Sequence, residues 1–243
     1  MCSMVTRNYY SFFAPLPIDP ELGFGETFLF RAQCCPELLA SMLFSEAMQD
    51  AEAIFVTGFE QFCGYSGYGD SFRFAEKVST EMDIGWRDGM GRRMTSLVAM
   101  DARRYAEEEK EKQFNGREVE RELNKAFVAF GGQNSREVEL PSVATGSWGC
   151  GAFGGVPELK LLIQWMAASE AGRDLAYFTF GDEELAREGG DLYSKLVEES
   201  VTVGQLVEAV VSFGDSTECK DGKQLFEWVR STFVFDSDNK FDS

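Results

Sequence analysis

Short apolar runs alternate with longer runs of helical periodicity through most of this chain, and that alternation limits its architecture more than any other feature. Ala53 to Val56, Ser96 to Met100, Val138 to Thr145 and Leu175 to Phe180 have the length and side chains of buried strands. Another apolar stretch, Thr27 to Cys35, is read as a further strand. Helical runs lie between them: 36–48, the charged segment 103–112, Gly116 to Phe130 with Val119, Leu123, Phe127 and Phe130 on one side, and Pro157 to Glu170. Roughly the last sixty residues add two or three helices, including TVGQLVEAVVSF and KQLFEWVRSTF, before an acidic tail. Such an order predicts an α/β layered domain with a largely parallel sheet, whose ligands bind beyond the carboxyl ends of the strands.

Charge and composition narrow the function. With 23 basic and 41 acidic residues the 243-residue chain has a net charge of −18, so it repels polyanions at long range. Direct DNA binding is not expected. A nucleotide or phosphate would have to be held by local geometry: backbone amides, aromatic faces and a few placed arginines. There is no histidine. That removes Ser-His-Asp and Cys-His catalysis, HExxH zinc sites and histidine pH switching together.

The six cysteines form no CxxC pair, so neither a metal site nor a disulfide framework is expected, and no cofactor is implied. Prolines 15, 17 and 20 break the only apolar run near the N-terminus, which makes a poor signal peptide. No stretch approaches the roughly 18 apolar residues of a membrane helix. A soluble intracellular protein, without membrane contact, is the expectation.

The window ATGSWGCGAFGG, 144–155, carries the chemistry. Five of the ten residues from 146 to 155 are glycine, between a strand and a helix beginning near Pro157. A strand, a glycine loop and a helix start form a nest of backbone N–H groups at the positive end of a helix dipole, which suits a phosphate without any basic residue. The spacing fits neither GxGxxG nor GxxxxGK[ST]. Tight-turn duty alone is the alternative role for these glycines.

Read with its neighbours, the window resembles the poly(ADP-ribose) glycohydrolase family. LKLLIQWMAA and RDLAYFTFGD follow it; TGFEQFCGYSGYGDSFRF, RRMTSLVAMDA and RELNKAF precede it, and TVGQLVEAV continues the match, over roughly residues 36–213. The resemblance implies a macrodomain-like three-layer α/β/α sandwich with extra C-terminal helices. It divides the chain into a diverged or irregular N-terminal segment (1–35), a glycohydrolase-like macrodomain (36–213), and a C-terminal helix with an acidic tail (214–243). It further implies that the loop cradles the diphosphate of ADP-ribose, assigning Ser147, Trp148, Gly149, Cys150, Gly151, Ala152 and Phe153. The family usually has Asn where this chain has Ser147. Tyr68 is expected to pack over the ligand and Phe180 against its nucleoside end, with core packing as the alternative for each. Implied partners are ADP-ribose or poly(ADP-ribose), and ADP-ribosylated proteins, in the nucleus or cytoplasm.

The departure from the family is as informative as the match. Family enzymes carry Gly-Gly-Gly and then Gln-Glu-Glu shortly before the helix that resembles PELLASMLF, because one glutamate protonates the departing glycosidic oxygen and a base activates water. Counting back from Pro36 puts Thr27, Phe28 and Leu29 at the Gln-Glu-Glu positions. No catalytic residue is therefore assigned. Glu26 reaches the slot only if the chain bulges by two or three residues, so it is read as a surface carboxylate. Three readings remain: an active glycohydrolase using Glu26 or another carboxylate, a diverged relative that binds without cutting, and an N-terminally shortened product whose missing strand leaves an open sheet edge.

Overall fold

A computed structural model describes residues 34–66, 72–76, 87, 89–93, 96–131, 142–216 and 221–233. Six strands occur among them: β1 (Ile54–Thr57), β2 (Gly64–Ser66), β3 (Arg73–Ala75), β4 (Ser96–Ala99), β5 (Val143–Gly146) and β6 (Leu175–Phe178). Five α-helices follow in the same order of the chain: α1 (Gly116–Gly131), α2 (Pro157–Glu170), α3 (Glu183–Glu198), α4 (Val203–Asp215) and α5 (Gly222–Phe233). Two 3-10 helices, Pro36–Leu43 and Glu107–Phe114, complete the described elements.

The strands meet in pairs. β5 and β6 run parallel, Val143 beside Leu175 through Gly146 beside Phe178, with α2 as their crossover. β1 with β4 and β2 with β3 are antiparallel, so the described ladders are mixed rather than mainly parallel.

Helix α2 lies at the centre. Its sequence PELKLLIQWMAASE is apolar on nearly every side, the pattern of a helix surrounded by protein, and Leu159, Leu161, Leu162, Ile163 and Met166 are all buried. Pro157 starts it, where the missing N–H costs nothing. Around it gather α1, α3, α4 and α5, contributing Phe130, Leu192, Phe213 and Phe226 among others. The helix starts are chemically fixed: Asp182 accepts from the Leu185 amide at 2.9 Å, Thr202 and Gln205 form a reciprocal capping box, and Asp221 accepts from the Gln224 amide at 2.8 Å. A smaller core of Cys34, Cys35, Leu38, Phe59, Leu97 and Ala99 lies under β1 and β4.

Three expectations meet a different local structure. The helix expected over 36–48 is a 3-10 helix ending at Leu43, because the Ser41 hydroxyl donates to the Leu38 carbonyl at 2.7 Å and stabilises the tighter turn; Leu38 is buried while Leu43 is 87% exposed. The charged helix begins at Glu107 rather than 103: Ala106 is extended (φ −67°, ψ 162°), and the Tyr105 amide just before it bonds to the Phe153 carbonyl at 2.8 Å. On α1 the buried face includes Glu122 and Lys125, whereas Phe127 is 42% exposed. Charge pairing outweighs apolar periodicity at that surface. The strand expected over 27–35 falls almost wholly outside the described residues, as do 138–141 of the strand that is β5.

Candidate functional site

The glycine-rich loop leaves the carboxyl end of β5 and enters α2, and its course is set by contacts that tolerate no side chain at two positions. Gly149 has φ +76°, and a Cβ there would lie 2.7 Å from the Ala102 Cβ; Gly154 has φ +68°, and a Cβ would lie 2.6 Å from the Tyr105 carbonyl oxygen. Internal bonds hold the shape: Trp148 N–H to Gly146 O (2.7 Å), Cys150 N–H to Ser147 O (3.1 Å), Gly154 N–H to Gly151 O (3.0 Å) and Gly155 N–H to Gly149 O (2.8 Å). What remains is a short row of donors. The amides of Gly151, Ala152 and Phe153 reach no protein acceptor among the described residues, and Gly151 and Ala152 are exposed.

Gly151 and Ala152 border a cavity of about 620 Å³. One wall is Cys150, Gly151, Ala152, Gly154 and Gly155; the other is Arg104–Glu107 with Glu109 and Lys110. Lys110 pairs with Glu107 at 2.7 Å and Lys112 with Glu109, so the two carboxylates on this wall are each engaged by a lysine one turn on. Arg104 is exposed and has no partner among the described residues, which leaves its guanidinium as the unneutralised charge at the cavity. Tyr105 belongs to that same second wall. Its hydroxyl donates to Glu118 at 3.0 Å, and burial, reinforced by Glu118, keeps the phenol neutral far above its ordinary range.

The sequence-assigned residues divide by side-chain placement. Trp148 is only 2% exposed, its indole N–H donating to the Met100 carbonyl at 3.3 Å, so its part in any binding is through backbone shape. Phe153 is likewise buried. Ser147 is half-buried at the strand end. Phe180 stands apart, 75% exposed with φ +54°, its ring against Gly146, where a side chain would collide with it. It thus occupies the same carboxyl edge of the β5–β6 pair as the loop. Tyr68, Glu26 and positions 27–29 lie outside the described residues.

Cys150 is on the cavity wall yet chemically quiet. Burial, with a smaller contribution from Glu158, pushes its thiol up to about 12, so the nucleophilic thiolate is scarce at neutral pH. At pH 8 iodoacetamide should alkylate Cys150 at least about a hundredfold more slowly than an unperturbed thiol. Peptide mapping by mass spectrometry measures this; labelling at the free-thiol rate would show that the site is more open than described.

Sequence reasoning missed the polar residues beneath the loop. Gln164 on α2 donates to the Gly146 carbonyl at 2.9 Å and accepts from the Thr145 hydroxyl at 2.5 Å, fixing the strand end. Lys160, one turn earlier, forms an ion pair with Glu122 and places its ammonium 4.1 Å from the centroid of the Trp148 ring. A signal existed: a lysine and a glutamine inside a helix apolar on all sides must be buried, and must therefore be paired.

The family model described as "Poly (ADP-ribose) glycohydrolase (PARG), Macro domain fold" matches residues 28–187. Poly(ADP-ribose) glycohydrolase 2 of Caenorhabditis elegans is 35% identical over 207 residues, covering 83% of this chain and 42% of that protein. Poly(ADP-ribose) glycohydrolase 1 of the same organism is 34% identical over 190 residues, covering 76% and 24%. Probable poly(ADP-ribose) glycohydrolase 2 of Arabidopsis thaliana is 35% identical over 215 residues, covering 68% and 40%. The chain therefore spans less than half the length of these relatives. No described helix is long and apolar enough to cross a membrane. A family match over 28–187, on a chain of alternating strands and helices with a glycine loop at its strand ends, places this protein in the poly(ADP-ribose) glycohydrolase family with its macro domain fold.

Proposed function

We propose that this chain binds ADP-ribose or the ends of poly(ADP-ribose), and that its hydrolysis of the ribose-ribose bond is weak or lost. The observation that carries the reading is the row of unengaged amides at Gly151, Ala152 and Phe153, the first two residues of which line the 620 Å³ cavity. A diphosphate is the anion such a row suits, since each oxygen accepts a charge-assisted bond without a basic field. Weak hydrolysis follows from residue type. Phe28 and Leu29 stand where the family has its glutamate pair and can move no proton, and Glu107 and Glu109 at the cavity are both held by lysines.

Loss of a general acid or base removes about two to four powers of ten in rate. Purified protein with labelled polymer should therefore release ADP-ribose at least about a hundredfold below an ordinary enzymatic rate. Calorimetric titration with ADP-ribose should show saturable heat. No heat at millimolar ligand would leave the loop as scaffold only. The second reading, an active poly(ADP-ribose) glycohydrolase that releases ADP-ribose, is favoured by the names of relatives 34–35% identical; product at an ordinary rate would establish it instead.

Arg104 is the residue through which long-range charge enters. Arg104→Ala should weaken ADP-ribose roughly three- to fivefold, the scale of an exposed ion pair, and should flatten the dependence of affinity on salt. An unchanged salt dependence would take Arg104 out of the site.

A further inference from the structure

Two motifs, RELNKAF and LKLLIQW, have no part in the ligand row, yet they supply the most deeply buried charges among the described residues. Lys125 and Lys160 are 0% and 1% exposed, and Glu122 is 2% exposed. Lys125 donates to the Gln49 and Glu52 carbonyls and pairs with Asp101 at 2.6 Å, which ties α1 to the segment before β1. Glu122 is placed differently. One carboxylate oxygen accepts the Arg103 amide at 3.1 Å, the residue just before the Arg104–Lys110 wall, and the Arg121 guanidinium at 2.5 Å; the other receives the Lys160 ammonium. Lys160 in turn lies under the opposite wall. A Cβ on Gly149 or Gly155 would sit 3.5 or 3.2 Å from its Cε, and its ammonium faces the Trp148 ring.

We propose that Glu122 is a positioning residue that holds the two walls of the cavity in register, acting through the Arg103 amide on one side and through Lys160 and Trp148 on the other. The inference rests on the reading of the loop as an ADP-ribose site and adds what sets its spacing. Arg121 also pairs with Glu122 at 2.5 Å, but Lys160 has no other ion-pair partner among the described residues, so drawing its wall away from Glu122 would leave a buried ammonium uncompensated. Neutral bridges accompany it: the Val156 amide donates to Gln113 Oε1 at 2.7 Å while Gln113 Nε2 donates to the Lys110 carbonyl at 2.6 Å. These lack the penalty for separation that the ion pair imposes.

The test uses the whole chain. Glu122→Gln alone leaves the buried Lys160 ammonium without its carboxylate and is expected to lower the melting temperature steeply, whereas in Lys160→Met the Glu122 carboxylate keeps the Arg121 guanidinium at 2.5 Å and the loss should be smaller. The double variant E122L/K160M removes both charges, and Arg121 keeps Asp101 at 2.5 Å and Asp50 at 2.9 Å as partners. It should therefore melt near wild type. Its ADP-ribose affinity should nonetheless fall at least about tenfold. Trp148 emission, isolated by subtracting the spectrum of Trp148→Phe, should shift as the indole loses the ammonium 4.1 Å from its ring. A double variant with wild-type melting and wild-type affinity would overturn the proposal. If wild-type protein binds no ADP-ribose, the ligand reading fails separately, and unchanged Trp148 emission in the folded double variant then overturns the positioning role.

Discussion

Trp148→Ala is expected to destabilise the folded chain by about 3–5 kcal/mol, the usual cost of deleting a fully buried large aromatic side chain. The indole is buried, donates to the Met100 carbonyl and is faced by Lys160, so truncation removes packing, a hydrogen bond and a cation–π contact together. The resulting void opens directly beneath the loop. For a domain of this size each kcal/mol corresponds to about 2–4 °C, so the thermal midpoint should drop by roughly 6–20 °C in a circular dichroism melt. Trp148→Phe, which keeps most of the volume, should lose about half as much or less. A Trp148→Ala protein that melts within a degree or two of wild type would remove the residue from the core.

Gly151 gives the opposite kind of variant. It is exposed, its φ lies outside the left-handed region, and a Cβ there would meet nothing within 4 Å, so Gly151→Leu should fold and melt like wild type. Binding should collapse, because the leucine would occupy the space in front of the Gly151 and Ala152 amides. Losing two bonds to a charged oxygen, each worth about 1.5–3 kcal/mol, predicts affinity at least about a hundredfold lower in calorimetry. Unchanged affinity in a folded Gly151→Leu protein would move the diphosphate away from this loop. The pair of variants separates two roles in one turn: Trp148 builds it, and Gly151 leaves it open.

Much of the fold was legible because its signals are local. Val119 to Phe130 has helical spacing, and α1 runs Gly116–Gly131; Pro157 announces α2, whose observed span is Pro157–Glu170. TVGQLVEAVVSF carries its own capping box at Thr202 and Gln205, and the helix begins where those residues put it. The glycine loop was legible as well, since five glycines between a strand and a helix describe a turn before any contact is known. Where local reading failed, a distant partner had intervened. The Tyr105 amide bonds to the carbonyl of Phe153, 48 positions along the chain, and the charged helix starts only at Glu107, after an extended Ala106. Phe127 is turned outward on α1 while Glu122 and Lys125 face in. Phe180, read as the end of a strand, stands outside β6 in a left-handed conformation against Gly146.

The order of the amino acids by itself determined the alternation of elements, the glycine turn, the absence of histidine chemistry and the family to which the chain belongs. Each is carried by neighbours along the chain or by residue type alone. Only the tertiary structure decided which charges are interior, which loop amides stay unengaged, and that Arg104 and the loop border one cavity. The reason is the range of the forces involved. Propensity and capping act within a turn or two, whereas the burial of Glu122 with Lys160, 38 positions apart, becomes favourable only after both helices have packed and each charge has found the other.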